Sequence, residues 1–164
     1  MIVNFEIKGG EVVRDIEMST ASTILELKRR IEEDLNVRVG RQTLWFDQIV
    51  LKDVKTIAHY DFYSAASVHL TVMPEPEKEF FIVLKSSRPV ADVKVKETNT
   101  VFDLKMKIQK LWGIEKKNVT LFRLSKEMED DLLLCAYYVY EGSEVEVEIA
   151  INKPFGNNIN IVEN

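Results

Sequence analysis

The sequence predicts an α+β fold in which one unit, two strands, a helix and two strands, occurs twice along the chain. The helix-like segment 23–31 (TILELKRRI) is similar to segment 100–108 (TVFDLKMKI), which follows 77 residues later. Strand-like runs of alternating apolar residues lie on both sides of each segment. The likeness continues at this spacing without a gap over about fifty residues, which indicates a duplicated structural unit.

Both helix-like segments have the signals that begin, pack and end an amphipathic helix. Thr23 and Glu26 fit a capping box, and Thr100 with Asp103 is a weaker version because Asp is the shorter acid. At the predicted C-terminal ends of the two helices lie Asn36 and Gly113, which are 77 residues apart. Asn and Gly are the two residue types that best tolerate a left-handed backbone. The apolar residues fall on one helical face in each half: Ile24, Leu27, Ile31 and Leu35, then Val101, Leu104, Ile108 and Trp112.

The strands pair between the halves in the same way. Two strand-like runs around a turn precede each helix, in 2–18 and in 80–95. Each helix is followed by a short apolar strand, a turn, a connection that contains a tyrosine, and a closing strand of alternating pattern. The predicted order in each half is therefore β-β-α-β-β.

The chain divides at "MPEPEKE", where two prolines and three glutamates interrupt the strand-like runs. Proline supplies no backbone donor and biases the preceding residue to extended geometry, so this stretch reads as a short linker. We predict a first domain over 1–73, a linker over 74–79, a second domain over 80–151 and a flexible tail over 152–164. Each domain is small but large enough to fold.

Composition and charge narrow the class of function. Hydrophobic residues make up 46% and charged residues 30% of the chain, which suits a globular protein. The formal net charge is −5 and neither half is basic, so we expect no nucleic-acid partner. The N-terminus lacks the apolar run of a signal peptide, and no segment is long enough to span a membrane. The lone Cys135 suits a reducing compartment, so we expect a protein of the cytoplasm or nucleus.

Catalytic and metal-binding patterns are absent from the sequence. His59 and His69 are its only histidines, and neither lies in a metal-binding spacing. A catalytic cysteine needs a base and an electropositive setting, and Cys135 has neither within its own stretch of sequence. We therefore expect no enzyme, no cofactor and no metal site.

These features together resemble ubiquitin. The shared pattern includes T-[IV]-x-x-[LV]-K-x-x-I on the helix, the strand at Leu44–Phe46, "LKD" at Leu51–Asp53 and the tyrosine at position 60. The strand "SVHLTV" is close to the last strand of ubiquitin. The resemblance covers both halves and implies two tandem β-grasp domains, each a mixed sheet packed on one helix. Compared with ubiquitin, the first hairpin has one extra residue near Gly9–Gly10, which predicts a bulge or local shift there.

Ubiquitin is recognised largely through an apolar patch on the exposed face of its sheet, so the resemblance identifies candidate partner-binding residues. In the first half the matching positions are Trp45, His69 and Thr71, and in the second half they are Phe122, Glu146 and Glu148. An outward tryptophan is a plausible binding hot spot, although it also suits packing against the linker or the other domain. The two carboxylates beside Phe122 disfavour binding by a partner protein that recognises an apolar patch.

The resemblance implies a non-enzymatic interaction module that docks to ubiquitin-binding or proteasome-associated proteins, and we expect it to be a monomer. Two alternatives stay open. Ubiquitin-like modifiers are conjugated through a C-terminal di-glycine, and the matching place here reads "AINKPFG", so conjugation would require a C-terminus not present in this sequence. A scaffold with partners outside the ubiquitin pathway would use the same fold.

Overall fold

A computed structural model describes residues 1–150 of the chain. The predicted tail, 152–164, lies outside the described residues. Within them the chain forms two five-stranded mixed sheets, each packed on one α-helix, which confirms two tandem β-grasp domains.

In the first domain the sheet order is β2-β1-β5-β3-β4. The central strands β1 and β5 are parallel, and the other neighbours are antiparallel. The elements are β1 (Ile2–Lys8), β2 (Arg14–Ser19), α1 (Ile24–Leu35), β3 (Gln42–Phe46), β4 (Ile49–Val50) and β5 (Ala65–Val72).

The second domain repeats this topology, with sheet order β7-β6-β10-β8-β9 and β6 parallel to β10. The elements are β6 (Glu79–Lys85), β7 (Ala91–Lys96), α2 (Val101–Trp112), β8 (Val119–Arg123), β9 (Lys126–Glu127) and β10 (Glu144–Ile149). The described residues include no helix that is both long and apolar enough to cross a membrane.

The helices begin and end as the sequence predicts. Thr23 Oγ1 accepts the Glu26 N–H at 3.2 Å, and Glu26 Oε1 accepts the Thr23 N–H at 2.8 Å. The second capping box forms in the same way at α2, despite its shorter acid. Asn36 and Gly113 end the two helices in the left-handed conformation, with φ of 59° and 69°.

The apolar face of each helix packs on the inner face of its sheet. Ile24, Leu27 and Ile31 of α1 are fully buried, and the α2 residues Leu104 and Ile108 are buried to the same degree. Burying such side chains is worth about 1.5–3 kcal/mol each, so this packing stabilises each helix against its sheet.

The short strands β4 and β9 are additions to the predicted β-β-α-β-β order. Each pairs with the preceding strand around a two-residue turn in which both central residues have positive φ. Those residues are Asp47 and Gln48 in the first domain and Leu124 and Ser125 in the second. A turn of this type matches the twist of a tight hairpin, but without glycine its sequence gives little signal.

The first hairpin has the same register as its counterpart 77 residues later, and its pairing is regular up to Ile7 and Arg14, so the bulge or local shift predicted there is wrong for the paired strands. Gly9 has φ of +134°, and a Cβ atom there would lie 2.3 Å from the Leu70 carbonyl oxygen. The chain therefore crosses directly over β5, and only glycine fits. Arg14 pairs with Ile7 at the start of β2, and its guanidinium lies 3.5 Å from Asp34. The long polar side chain thus reaches the helix end and the solvent.

A buried arginine joins the two domains. Arg123, at the end of β8, is 2% exposed, and its Nη2 donates to the Leu35 carbonyl and Asn36 Oδ1, both at 3.1 Å. The same nitrogen donates to the Tyr138 carbonyl at 2.9 Å. Burial lowers the pKa of Arg123 to about 10, so the guanidinium is still charged at neutral pH. Its positive charge meets the C-terminal carbonyls of α1, where the helix dipole favours a cation.

A second arginine ties the first domain to the linker and to the second domain. Arg41 Nη2 lies 2.7 Å from Glu97 Oε1 in the second domain, and its Nη1 lies 3.5 Å from Glu75 Oε1 in the linker. The guanidinium also lies 4.8 Å from the centre of the Tyr140 ring. The Glu97 side chain is 6% exposed, so this cross-domain ion pair is largely shielded from water. The two ties together fix how the first sheet faces the second domain.

Candidate docking surface

The three candidate residues of the first domain lie together on the outer face of its sheet. Trp45 and His69 are directly opposite each other on β3 and β5, and Trp45 Nε1 donates to Thr71 Oγ1 at 3.1 Å. Val50, opposite Trp45 on β4, is 44% exposed. Trp45 itself is half-buried, while His69 and Thr71 are exposed. The indole is therefore held in one orientation with its polar edge satisfied, which suits an aromatic anchor.

The three candidates of the second domain lie together on a different sheet. Phe122 on β8 is opposite Glu146 on β10, and Glu148 lies two residues further along, opposite Thr120. Phe122 is half-buried and both glutamates are exposed. Neither glutamate forms an ion pair within residues 1–150. An apolar partner would have to remove water from two charges here, so this face is less suited to it than the first.

The outer face of the first sheet continues into a groove between the domains, which the sequence did not reveal. The groove has a volume of about 500 Å³. His69 and Thr71 lie on its first-domain wall, and the connection before β10 forms its second-domain wall through Leu132, Leu133, Cys135 and Ala136. Two of the predicted docking residues therefore belong to a surface built by both domains.

Gly10 allows the second-domain wall to approach this closely. The Glu11 N–H next to it donates to the Ala136 carbonyl at 2.8 Å. A Cβ atom on Gly10 would lie 2.8 Å from the Tyr138 ring. The first hairpin of domain one and the connection of domain two are thus in direct contact, which sets the width of the groove.

One signal in the sequence marks this wall, but it is visible only when the halves are compared. The residues 77 positions before Leu132, Leu133, Cys135 and Ala136 are Lys55, Thr56, Ala58 and His59. The polar or small side chains of the first half become mostly apolar in the second. Likewise Tyr63 is 83% exposed, whereas its counterpart Tyr140 is 5% exposed beneath the first domain. Such a change in duplicated units indicates an added contact surface.

The lining of the groove includes one cysteine, Cys135. Cys135 is half-buried, and burial, followed by the nearby Glu97 charge, raises the pKa of its thiol above the ordinary value. A raised pKa keeps the sulfur protonated and weakly nucleophilic. In the described part of the chain no three His, Cys, Asp or Glu side chains are gathered so that they could hold a metal ion.

Comparisons with known proteins agree with the fold of each half. The family model described as the ubiquitin family matches the chain twice, over residues 7–75 and 81–151. Ubiquitin domain-containing protein DSK2 of Saccharomyces cerevisiae is 31% identical over 78 residues, which are 47% of this chain and 21% of that protein. Ubiquitin-like protein 4A of Xenopus tropicalis is 34% identical over 73 residues, 44% of this chain and 48% of that protein.

The chain thus spans about a fifth and about half of the lengths of these curated relatives. Among solved structures, the N-terminal ubiquitin-like domain in the 4931431F19Rik protein matches with a TM-score of 0.44 at 20% identity. That match covers 48% of this chain and 82% of the other.

Proposed function

Because this chain belongs to the ubiquitin family, with two ubiquitin-like domains in tandem, we propose that it is a non-enzymatic module that docks to proteins of the ubiquitin pathway. The docking surface is the outer sheet face of the first domain, around Trp45, His69 and Thr71. The observation that carries this proposal is the ordered, half-buried indole of Trp45 on an outward strand position. Large amphipathic aromatics of this kind dominate binding energy at protein interfaces.

The first domain is favoured over the second by charge. Trp45 is surrounded by His69, Thr71 and the partly exposed Val50, and none of these carries a carboxylate. The equivalent face of the second domain places Glu146 beside its aromatic residue. An apolar partner would gain buried area on the first face and would lose hydrated charge on the second.

The partner class follows from the family and from the surface. We propose that the partners are ubiquitin-binding or proteasome-associated proteins, because such proteins recognise the sheet face of a ubiquitin-like domain. The chain acts as a monomer in the cytoplasm or nucleus in this proposal. Nothing in this mechanism needs a cofactor, since the sheet face offers only packing and hydrogen bonds.

An NMR titration of the isotope-labelled full chain tests the proposal. The probes are purified ubiquitin-interacting helices and ubiquitin-associated domains. Binding should shift the amide signals of Trp45, His69 and Thr71, and Trp45→Ala should weaken it at least about tenfold, as for a hot-spot aromatic. The matched control is Phe122→Ala, 77 residues further on, which should leave binding within about twofold. Equal binding by Trp45→Ala and the wild type would refute the proposal.

A further inference from the structure

We propose that the groove between the two domains binds an unfolded or helical segment of a partner protein that carries closely spaced apolar side chains next to a basic one. This inference rests on the proposed function and makes it more specific, because the surface it uses exists only when both domains are present. It assigns the second domain a direct part in recognition, through its connection before β10 rather than through its own sheet face.

The apolar character of the second-domain wall exceeds what the contact between the domains needs. Tyr138 and Tyr140 are the apolar residues that the first domain covers, at 2% and 5% exposure. Leu133 is 39% exposed, and Leu132 and Cys135 are only partly buried. Leu132 and Cys135 also pack against the hydrophobic core, so Leu133 is the residue of this wall that the core does not account for. Its equivalent in the first domain is Thr56, so the fold does not require a leucine at this position. Exposed apolar surface of this kind is typical of a binding groove.

The first-domain wall supplies the anchor and the polar contacts. His69 and Thr71 line the groove, and Trp45 lies immediately beside them on β3. A bound segment could therefore contact the indole and the leucines at once. The volume of about 500 Å³ is within the range of about 300–1,000 Å³ found for ligand pockets. That volume accepts several side chains of a peptide.

The charge of the groove selects a basic segment. Its lining within the described residues contains two carboxylates, Glu97 and Asp131, and no lysine or arginine. Glu97 is neutralised by Arg41 at 2.7 Å. Asp131 is exposed and forms no ion pair with any described residue, and the neighbouring Glu129 is likewise exposed. A lysine or arginine at the rim would complement this charge, whereas an acidic segment would be repelled.

The test uses a phage-displayed library of random linear peptides, selected on the full wild-type chain. Selected peptides should combine large apolar residues with Lys or Arg. Leu133→Asp should weaken their binding at least about tenfold, because it removes apolar area and places a carboxylate where the apolar side chains of the peptide would have to displace its water. The matched control Leu111→Asp alters a residue of α2 that is 49% exposed and does not line the groove. It should leave the affinity within about twofold.

A charge reversal makes the test independent of any loss of folding. The variant Asp131→Lys should shift the selected peptides from basic to acidic sequences. The control Asp92→Lys, on the exposed edge strand β7, should not change the selection. Basic peptides selected equally by Asp131→Lys would overturn the charge assignment and with it the proposed occupant.

The remaining outcomes separate the groove from the proposed function. If Trp45→Ala weakens the binding of ubiquitin-binding domains but Leu133→Asp changes the affinity for no peptide, the groove proposal fails and the proposed function survives. If neither variant changes any binding, both fail. A synthetic peptide of residues 151–164 that binds in a Leu133-dependent way would make the chain's own C-terminal segment the occupant. A dimer that Leu133→Asp dissociates in sedimentation experiments would make it a second copy. Either result would overturn the partner assignment.

Discussion

The domain arrangement on which the groove depends can be tested through Arg123, whose Nη2 donates into the C-terminal end of α1. The perturbation is Arg123→Met, which keeps most of the packing volume and removes the guanidinium. Nη2 carries two hydrogens shared among three acceptors, so at most two full-strength hydrogen bonds are lost. A hydrogen bond from a charged donor contributes about 1.5–3 kcal/mol net of solvent exchange. We expect a loss of about 3 kcal/mol of unfolding free energy.

Two measurements on the full chain report this change. Urea unfolding followed at individual amide signals gives the unfolding free energy of each domain. Residual dipolar couplings give the relative orientation of the two domains, which the wild type should fit as one rigid body. In Arg123→Met the couplings should need two separate alignments, because the tie between β8 and α1 is gone.

The matched control is Arg88→Met. Arg88 is exposed, and its guanidinium lies 5.8 Å from the centre of the Trp112 ring within the same domain. An exposed cation over an aromatic ring contributes about 0.5–1 kcal/mol, so the control should lose no more than that and should keep a single alignment. The reasoning is refuted if Arg123→Met is as stable as the control and its domains still fit one rigid body.

Two further predictions concern stability within each domain. Lys105 lies 2.7 Å from Asp130 and, through its hydrogen bond, holds the pKa of that carboxyl below its ordinary value. The ion pair therefore stabilises the folded state fully above the unfolded pKa near 4, and this stabilisation is lost as the pH falls through the lower folded pKa. Asp130→Asn should therefore cost at most about 1 kcal/mol at pH 7 for this half-exposed pair, and its urea midpoint should approach that of the wild type as the pH falls below the unfolded pKa. Gly9→Ala should cost more than about 2 kcal/mol in urea unfolding, because the new Cβ would lie 2.3 Å from the Leu70 carbonyl oxygen. The control Gly40→Ala, where the new Cβ atom has no neighbour within 4 Å, should change stability by less than about 0.5 kcal/mol; equal effects at the two glycines would contradict the close approach.

Much of the fold could be predicted from local patterns. The capping box at Thr23 and the left-handed cap at Asn36 are contacts between residues close in sequence, and both are formed. The buried face of α1 follows from helical spacing, which needs no knowledge of what covers it. The short strands β4 and β9 could not be predicted, because their turns place Asp47 and Leu124 at positive φ without a glycine.

The candidate site was predictable only in part. The pairing of Trp45 with His69 follows from matching the strands to a known sheet, and so does that of Phe122 with Glu146. The groove was missed because its walls come from different domains. Leu133 gave a local signal, since an apolar residue replaces Thr56 of the first half, but that signal does not say what the leucine faces.

The sequence by itself determined the duplication, the class of each domain and the residues on each sheet face, because all of these depend on spacing within a single unit. Only the tertiary structure decided how the two units meet. That arrangement depends on Arg123 reaching α1 and on Arg41 reaching Glu97, contacts between residues 87, 88 and 56 positions apart. From sequence alone a charged side chain is expected to be solvated, because charged residues are seldom buried. Only a structure shows which buried carbonyl groups or carboxylate it contacts instead.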